Sequence, residues 1–218
     1  MNESSQQFVH SAAVAGMVAF LGDFVVTTAL AFFYPGYNHI KLVMSELGTV
    51  ESPVAMWISL WWVIFGFLFI LFAMGFRRAF GSMGGPFTIA SLLILVFGLG
   101  AGIGAGLFPM DPGGTGTSLY GTLHDTCAGI GFLALQAVPA LSTAIFRRRD
   151  FPRLHSVSIA AFVLGLAFLV IFVISGDTTA AHGLLSYDGL WQRLFLLTHY
   201  GYLALIAVQM IRVPKQSA

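Results

Sequence analysis

Charge is what this sequence has least of. Only 9% of its 218 residues are Asp, Glu, Lys or Arg, whereas 57% are hydrophobic and the mean hydropathy is +0.87. A soluble domain carries roughly 25% charged residues, so a soluble globular fold is excluded. Cysteine is almost absent too. Cys127 is the single one and lies inside an apolar segment, which excludes an intrachain disulfide and any cysteine-based metal site. The basic residues number ten, leave a net charge of +1 and sit in short loops. No nucleic-acid partner is expected from such a pattern. There is no internal repeat and no low-complexity tract. The opening MNESSQQFVH has no basic stretch, and the apolar run behind it is too long for a signal sequence. That run is expected to be a first transmembrane helix.

What remains is a series of six apolar segments, at about 12–33, 54–76, 87–108, 118–146, 154–174 and 190–212, each near the roughly 20 residues that span a bilayer. They predict one integral membrane domain over 1–218: an all-α, polytopic protein forming a six-transmembrane-helix bundle. In the first segment Ala12, Gly16, Ala19 and Asp23 recur at four- and three-residue steps, so the small residues and the lone carboxylate share a face. Small faces pack against neighbouring helices, which directs Asp23 into the bundle. In the third segment Gly98, Gly102 and Gly106 form one row and Gly100 and Gly104 a second, both assigned to helix packing. Trp57, Trp61 and Trp62 suit an interfacial aromatic belt. In the first loop Ile40, Val43, Met44 and Leu47 follow helical spacing between a possible cap at Asn38 and Gly48. A short amphipathic helix at the membrane interface is expected there.

Basic residues set the orientation. Placing both termini in the cytoplasm of a multi-pass cell-membrane protein puts Arg77, Arg78, Arg147, Arg148, Arg149, Arg153, Arg212 and Lys215 inside, and leaves only Lys41 and Arg193 opposite. The loops carrying His39, Ser45, Glu46, Asp111, His182 and Asp188 then face outward. Ionisable groups within the hydrocarbon region are costly and mark functional candidates. Here they are Asp23, His124, Asp125 and His199, with Gln192 on the same helix face as His199. These positions suggest an outward-facing polar pocket floored by Asp23 and His199.

Several motifs stand out: Tyr37-Asn38-His39, Ser45-Glu46-Leu47-Gly48, Gly106-Leu107-Phe108-Pro109 with Asp111-Pro112-Gly113, His124, and Gly189-Leu190-Trp191-Gln192-Arg193. In this order they resemble the bacterial and archaeal membrane family called domain of unknown function 998, from Tyr34 to Arg212. The resemblance implies a six-helix integral membrane protein and supplies no activity. Members of that family often carry cysteines beside the Asp-Pro-Gly of the third loop. Met110 and Gly114 stand in those places here, so any role of such cysteines is absent. The resemblance draws Ser45, Glu46, Asp111, His124, Gln192 and Arg193 together as outward site residues. Arg193, against the charge rule, is then a partner for Glu46, Asp111 or an anionic headgroup.

Three functions are compatible with these residues. The first is binding, with Ser45, Glu46, Asp111, Gln192, Arg193 and Asp23 holding a lipid headgroup or a partner subunit. The second is a membrane-embedded hydrolase at the outer leaflet, with His124, Asp125 and His199 as catalytic residues around a metal or a water. The third is a small proton-coupled transporter using Asp23 and His199. No H-E-x-x-H spacing names a metal, Ser45 lacks a nucleophile-elbow context, and nothing in the spacing of His124 and His199 specifies haem. The sequence names no cofactor.

Overall fold

The computed structural model describes residues 2–81, 84–176 and 183–212, which leaves His182 and Lys215 outside the described residues. Among the described residues six long helices follow one another: α1 Glu3–Ala31, α2 Ala55–Phe80, α3 Gly85–Leu107, α4 Leu119–Ile145, α5 Pro152–Ser175 and α6 Asp188–Arg212. All six are long and apolar enough to cross a membrane, and the protein is an all-helical, multi-pass membrane bundle. Each helix packs on its neighbours in the chain, and α6 closes the ring against α1. With an even number of antiparallel spans, the start of α1 and the end of α6 share one end of the bundle. The first, third and fifth connections share the other, here called the loop end.

Sequence periodicity explains which face each helix turns inward. On α1, Ala12, Gly16, Ala19 and Asp23 are buried, while Val14, Val18, Leu21 and Val25, offset by two residues, are exposed to the lipid side. On α2, Phe65, Phe69, Phe72 and Phe76 form a stripe that is at most 1% exposed. Phe20, Phe97 and Tyr200 pack their rings against it. α1 begins at Glu3 rather than near Ala12, because Asn2 caps it: its Oδ1 accepts from Ser5 N at 3.0 Å.

The glycine rows of α3 serve two different neighbours. Gly98, Gly102 and Gly106 face α2, where a side chain on Gly102 would meet the backbone of Gly66; Gly100 and Gly104 face Cys127 on α4. Over Gly98–Gly104 the helix widens into a π-helical stretch. Four of those seven residues are glycine, the weakest ordinary helix former, so little resists the wider turn.

The first loop departs from the expected interfacial helix. A turn at Asn38–Leu42, with Asn38 Oδ1 accepting from Ile40 N and Lys41 N, is followed by a single 3-10 helix at Met44–Gly48. The reason is burial. Met44 and Leu47 are drawn over the top of the bundle while Ile40 stays half exposed, so the predicted stripe is split between two environments. The tryptophans differ as well. Trp57 is exposed as a belt residue would be, but Trp61 and Trp62 turn inward.

Candidate functional site

The loop end is built by the first loop docking on α6. Gly189 allows the approach, since a side chain there would collide with the carbonyls of His39 and Leu42. Leu190 N then donates to Ile40 O at 2.9 Å, and the buried Gln192 accepts from Met44 N at 2.6 Å. Arg193 completes the joint. Its Nη1 donates to the carbonyls of His39 at 2.6 Å and Leu42 at 3.0 Å, and its Nη2 donates to the Tyr37 hydroxyl at 2.7 Å. These neutral oxygens, and not Glu46 or Asp111, are the partners of the guanidinium. Arg193 also lies over the Tyr37 ring. The nearby guanidinium and partial burial hold the His39 imidazole below its ordinary range, burial being the larger cause.

The third loop is tied on in turn. Asp111 accepts from the Ser118 hydroxyl at 2.6 Å and the Ser118 N–H at 2.7 Å, and Ser118 caps α4 by accepting from Gly121 N. Those bonds hold the Asp111 carboxyl below its ordinary range. Asp111 is therefore occupied in building the loop. His124, 1% exposed, donates from Nδ1 to Phe108 O at 2.7 Å, joining the end of α3 to α4, and its ring lies beside Trp62. Glu46 spans the two loops, accepting from Gly113 N at 3.4 Å.

Burial pushes the half-buried Glu46 carboxyl up, Glu51 adds to the rise and the Gly113 N–H opposes it. A folded-state value raised above the unfolded one means that ionising Glu46 costs stability. Glu46 should therefore contribute more to stability as pH falls from about 7 through its raised value toward the ordinary carboxylate range near 4.3. Thermal melts of wild type and Glu46→Gln across that window check this. Wild-type stability should rise relative to that of the variant as pH falls across that window, and parallel pH profiles would refute it.

Between the two loops and the end of α5 lies a crevice of about 320 Å³. Lys41, Glu46, Asp125 and Asp188 line its polar side; Leu42, Val43, Met110, Phe172 and Val173 line its apolar side. A second, small cavity of about 40 Å³ sits beneath the first loop, where Ser45 and Gln192 meet Asp23, Trp62 and Tyr200. Asp23, 3% exposed, accepts from Trp61 Nε1 at 3.2 Å and from the Tyr200 hydroxyl at 2.9 Å.

The structure thus divides the expected site residues into groups. Ser45, Gln192 and Asp23 share the small cavity; Glu46 and Asp125 share the crevice; Arg193 and Asp111 hold the loops. The three residues proposed as catalytic do not converge. Asp125 faces the crevice and His124 the end of α3, while His199 lies beside Gly165 and Gln136. Gln136 is more than three turns along α4 from His124, about 18 Å of helix. Asp23 bonds not to His199 but to the adjacent Tyr200, which faces a different neighbour around α6. Among the described residues there is no group of three or more His, Cys, Asp or Glu that could hold a metal ion.

Sequence reasoning missed Tyr200, Trp61, Gln136 and Gly165. Tyr200 follows His199 directly, and an O–H donor one residue from a buried histidine was the available signal. Trp61 is four residues from Trp57 and so reads as part of the same belt; only the position of Asp23 on the neighbouring helix distinguishes it.

The network links the motifs pairwise: Tyr37-Asn38-His39 and Met44 to Gly189–Arg193, Glu46 to Gly113, Phe108 to His124. No curated protein and no solved structure matches the chain. The family model described as "Protein of unknown function (DUF998)" matches residues 14–209. Covering most of the chain, and agreeing with the six-helix bundle, that match shows that the protein belongs to the DUF998 family.

Proposed function

We propose that this protein binds the headgroup of a membrane lipid in the loop-end crevice, on the outer face of a cell membrane. The observation that carries the reading is the two-sided lining of the crevice. Its polar wall carries one ammonium, Lys41, and three carboxylates, Glu46, Asp125 and Asp188; its apolar wall includes Val173, which is exposed on the outside of the bundle. A headgroup with a phosphate and an amine matches this charge arrangement, and its acyl chains would leave past Phe172 and Val173 into the bilayer. The volume suits a headgroup, being at the lower end of the roughly 300–1,000 Å³ of small-molecule sites. The outward orientation rests on the clustering of arginines at the opposite end.

Native mass spectrometry tests this. The full chain is released from vesicles of phosphatidylethanolamine and phosphatidylglycerol in equal amounts. Wild type should retain phosphatidylethanolamine preferentially, and Asp125→Asn with Asp188→Asn should lose the preference. Equal retention of both lipids by wild type would refute the reading.

A further inference from the structure

We infer that one water molecule is bound inside the bundle, in a notch beside Gly165 between α4, α5 and α6. Three observations meet there. His199 is fully buried, and its Nε2 has no hydrogen-bond partner; Gln136 is buried, and its Oε1 has none either. Both atoms border the same spot, because a side chain placed on Gly165 would run into the His199 ring and Gln136 Oε1.

The chemistry of these two atoms follows from their other halves. His199 Nδ1 lies 2.9 Å from Phe195 O. A carbonyl can only accept, so Nδ1 carries the proton and Nε2 presents a bare lone pair. Gln136 Nε2 donates to Phe162 O at 2.9 Å. That bond fixes the amide and turns Oε1 into the notch. Two acceptors facing one space cannot bond to each other. They need a molecule that donates twice, and water is the smallest that does.

The setting makes the demand sharper. The notch lies within the spanning segments, where bulk solvent cannot satisfy an orphaned acceptor. Glycine at position 165 lets α5 pack directly against both acceptors. His199 becomes a water-holding residue on α6, its ring packed 4.4 Å from that of Phe195, and Gln136 the matching one on α4.

Water-edited solid-state NMR on the full chain, labelled with ¹⁵N-histidine in phosphatidylethanolamine and phosphatidylglycerol vesicles, tests the inference. The signals of His199 are assigned by their loss in His199→Gln. The expected result is a protonated Nδ1, an unprotonated Nε2, and rapid magnetisation transfer from water to that ring. Transfer should fall at least several-fold in Gln136→Leu, which leaves the water a single acceptor. Two protonated nitrogens would mean that Nε2–H reaches Gln136 itself and would overturn the inference. An unprotonated Nε2 receiving no transfer from water would overturn it as well. Both of these results are read on wild type, so a variant that fails to fold does not protect the proposal.

Discussion

Arg193→Gln should release the first loop from α6 and destabilise the protein by about 3 kcal/mol, the scale set by hydrogen bonds to charged groups at roughly 1.5–3 kcal/mol each. The wild-type guanidinium donates to His39 O, Leu42 O, Gly189 O and the Tyr37 hydroxyl, and so ties both sides of the loop's turn to α6. Glutamine is shorter and offers two donors, so at least two of these part-buried acceptors lose the bond from residue 193. Arg193→Lys keeps the charge but not the fork, and should recover less than half of the loss. Two measurements check this: the thermal midpoint of the purified protein, and protease cleavage near Lys41. Wild-type stability with faster cleavage would show that the loop is held by Arg193 but is not needed for the bundle. Wild-type values of both would refute the assignment.

Gly102→Val should be at least as damaging, costing about 3 kcal/mol or preventing accumulation of folded protein. Overpacking of a tight contact costs roughly 1–3 kcal/mol when only side chains must move. Here the obstacle is backbone: a Cβ on Gly102 would lie 2.6 Å from Gly66 Cα and 2.9 Å from Gly66 N. Relief requires α2 and α3 to separate, which also unpacks Phe65 and Phe69 from Phe97. Gly129→Val is the control, since nothing lies within 4 Å of that position. It should fold as wild type. Equal behaviour of the two variants in size-exclusion profiles and thermal melts would remove the close-approach argument.

The two predictions sit on opposite sides of what can be read from the chain. Gly102 belongs to a row spaced four apart in a helix, and such a row has a face whatever it packs against. Its role was legible from spacing alone. Arg193 was legible only as an oddity, a cation at the wrong end of a helix. Its expected carboxylate partners were chosen because charges can be found in a sequence. The actual partners are mostly backbone carbonyls, which every residue carries and no motif marks.

The same distinction holds for the rest of the molecule. Length and hydropathy by themselves determined the six spans, and helical periodicity determined the inward face of α1, because both depend on properties local to one segment. The Gly189–Arg193 motif was visible as a motif, and so was the buried position of Asp23, His124 and His199. Which side chains meet was decided only by the ring of helices. That ring turned Trp61 to Asp23, drew Met44 and Leu47 over the bundle in place of an interfacial helix, and set His199 beside Gln136 instead of His124. A contact between helices depends on their rotation and relative height, and these are fixed by packing over the whole bundle, not by the spacing of residues in any one segment.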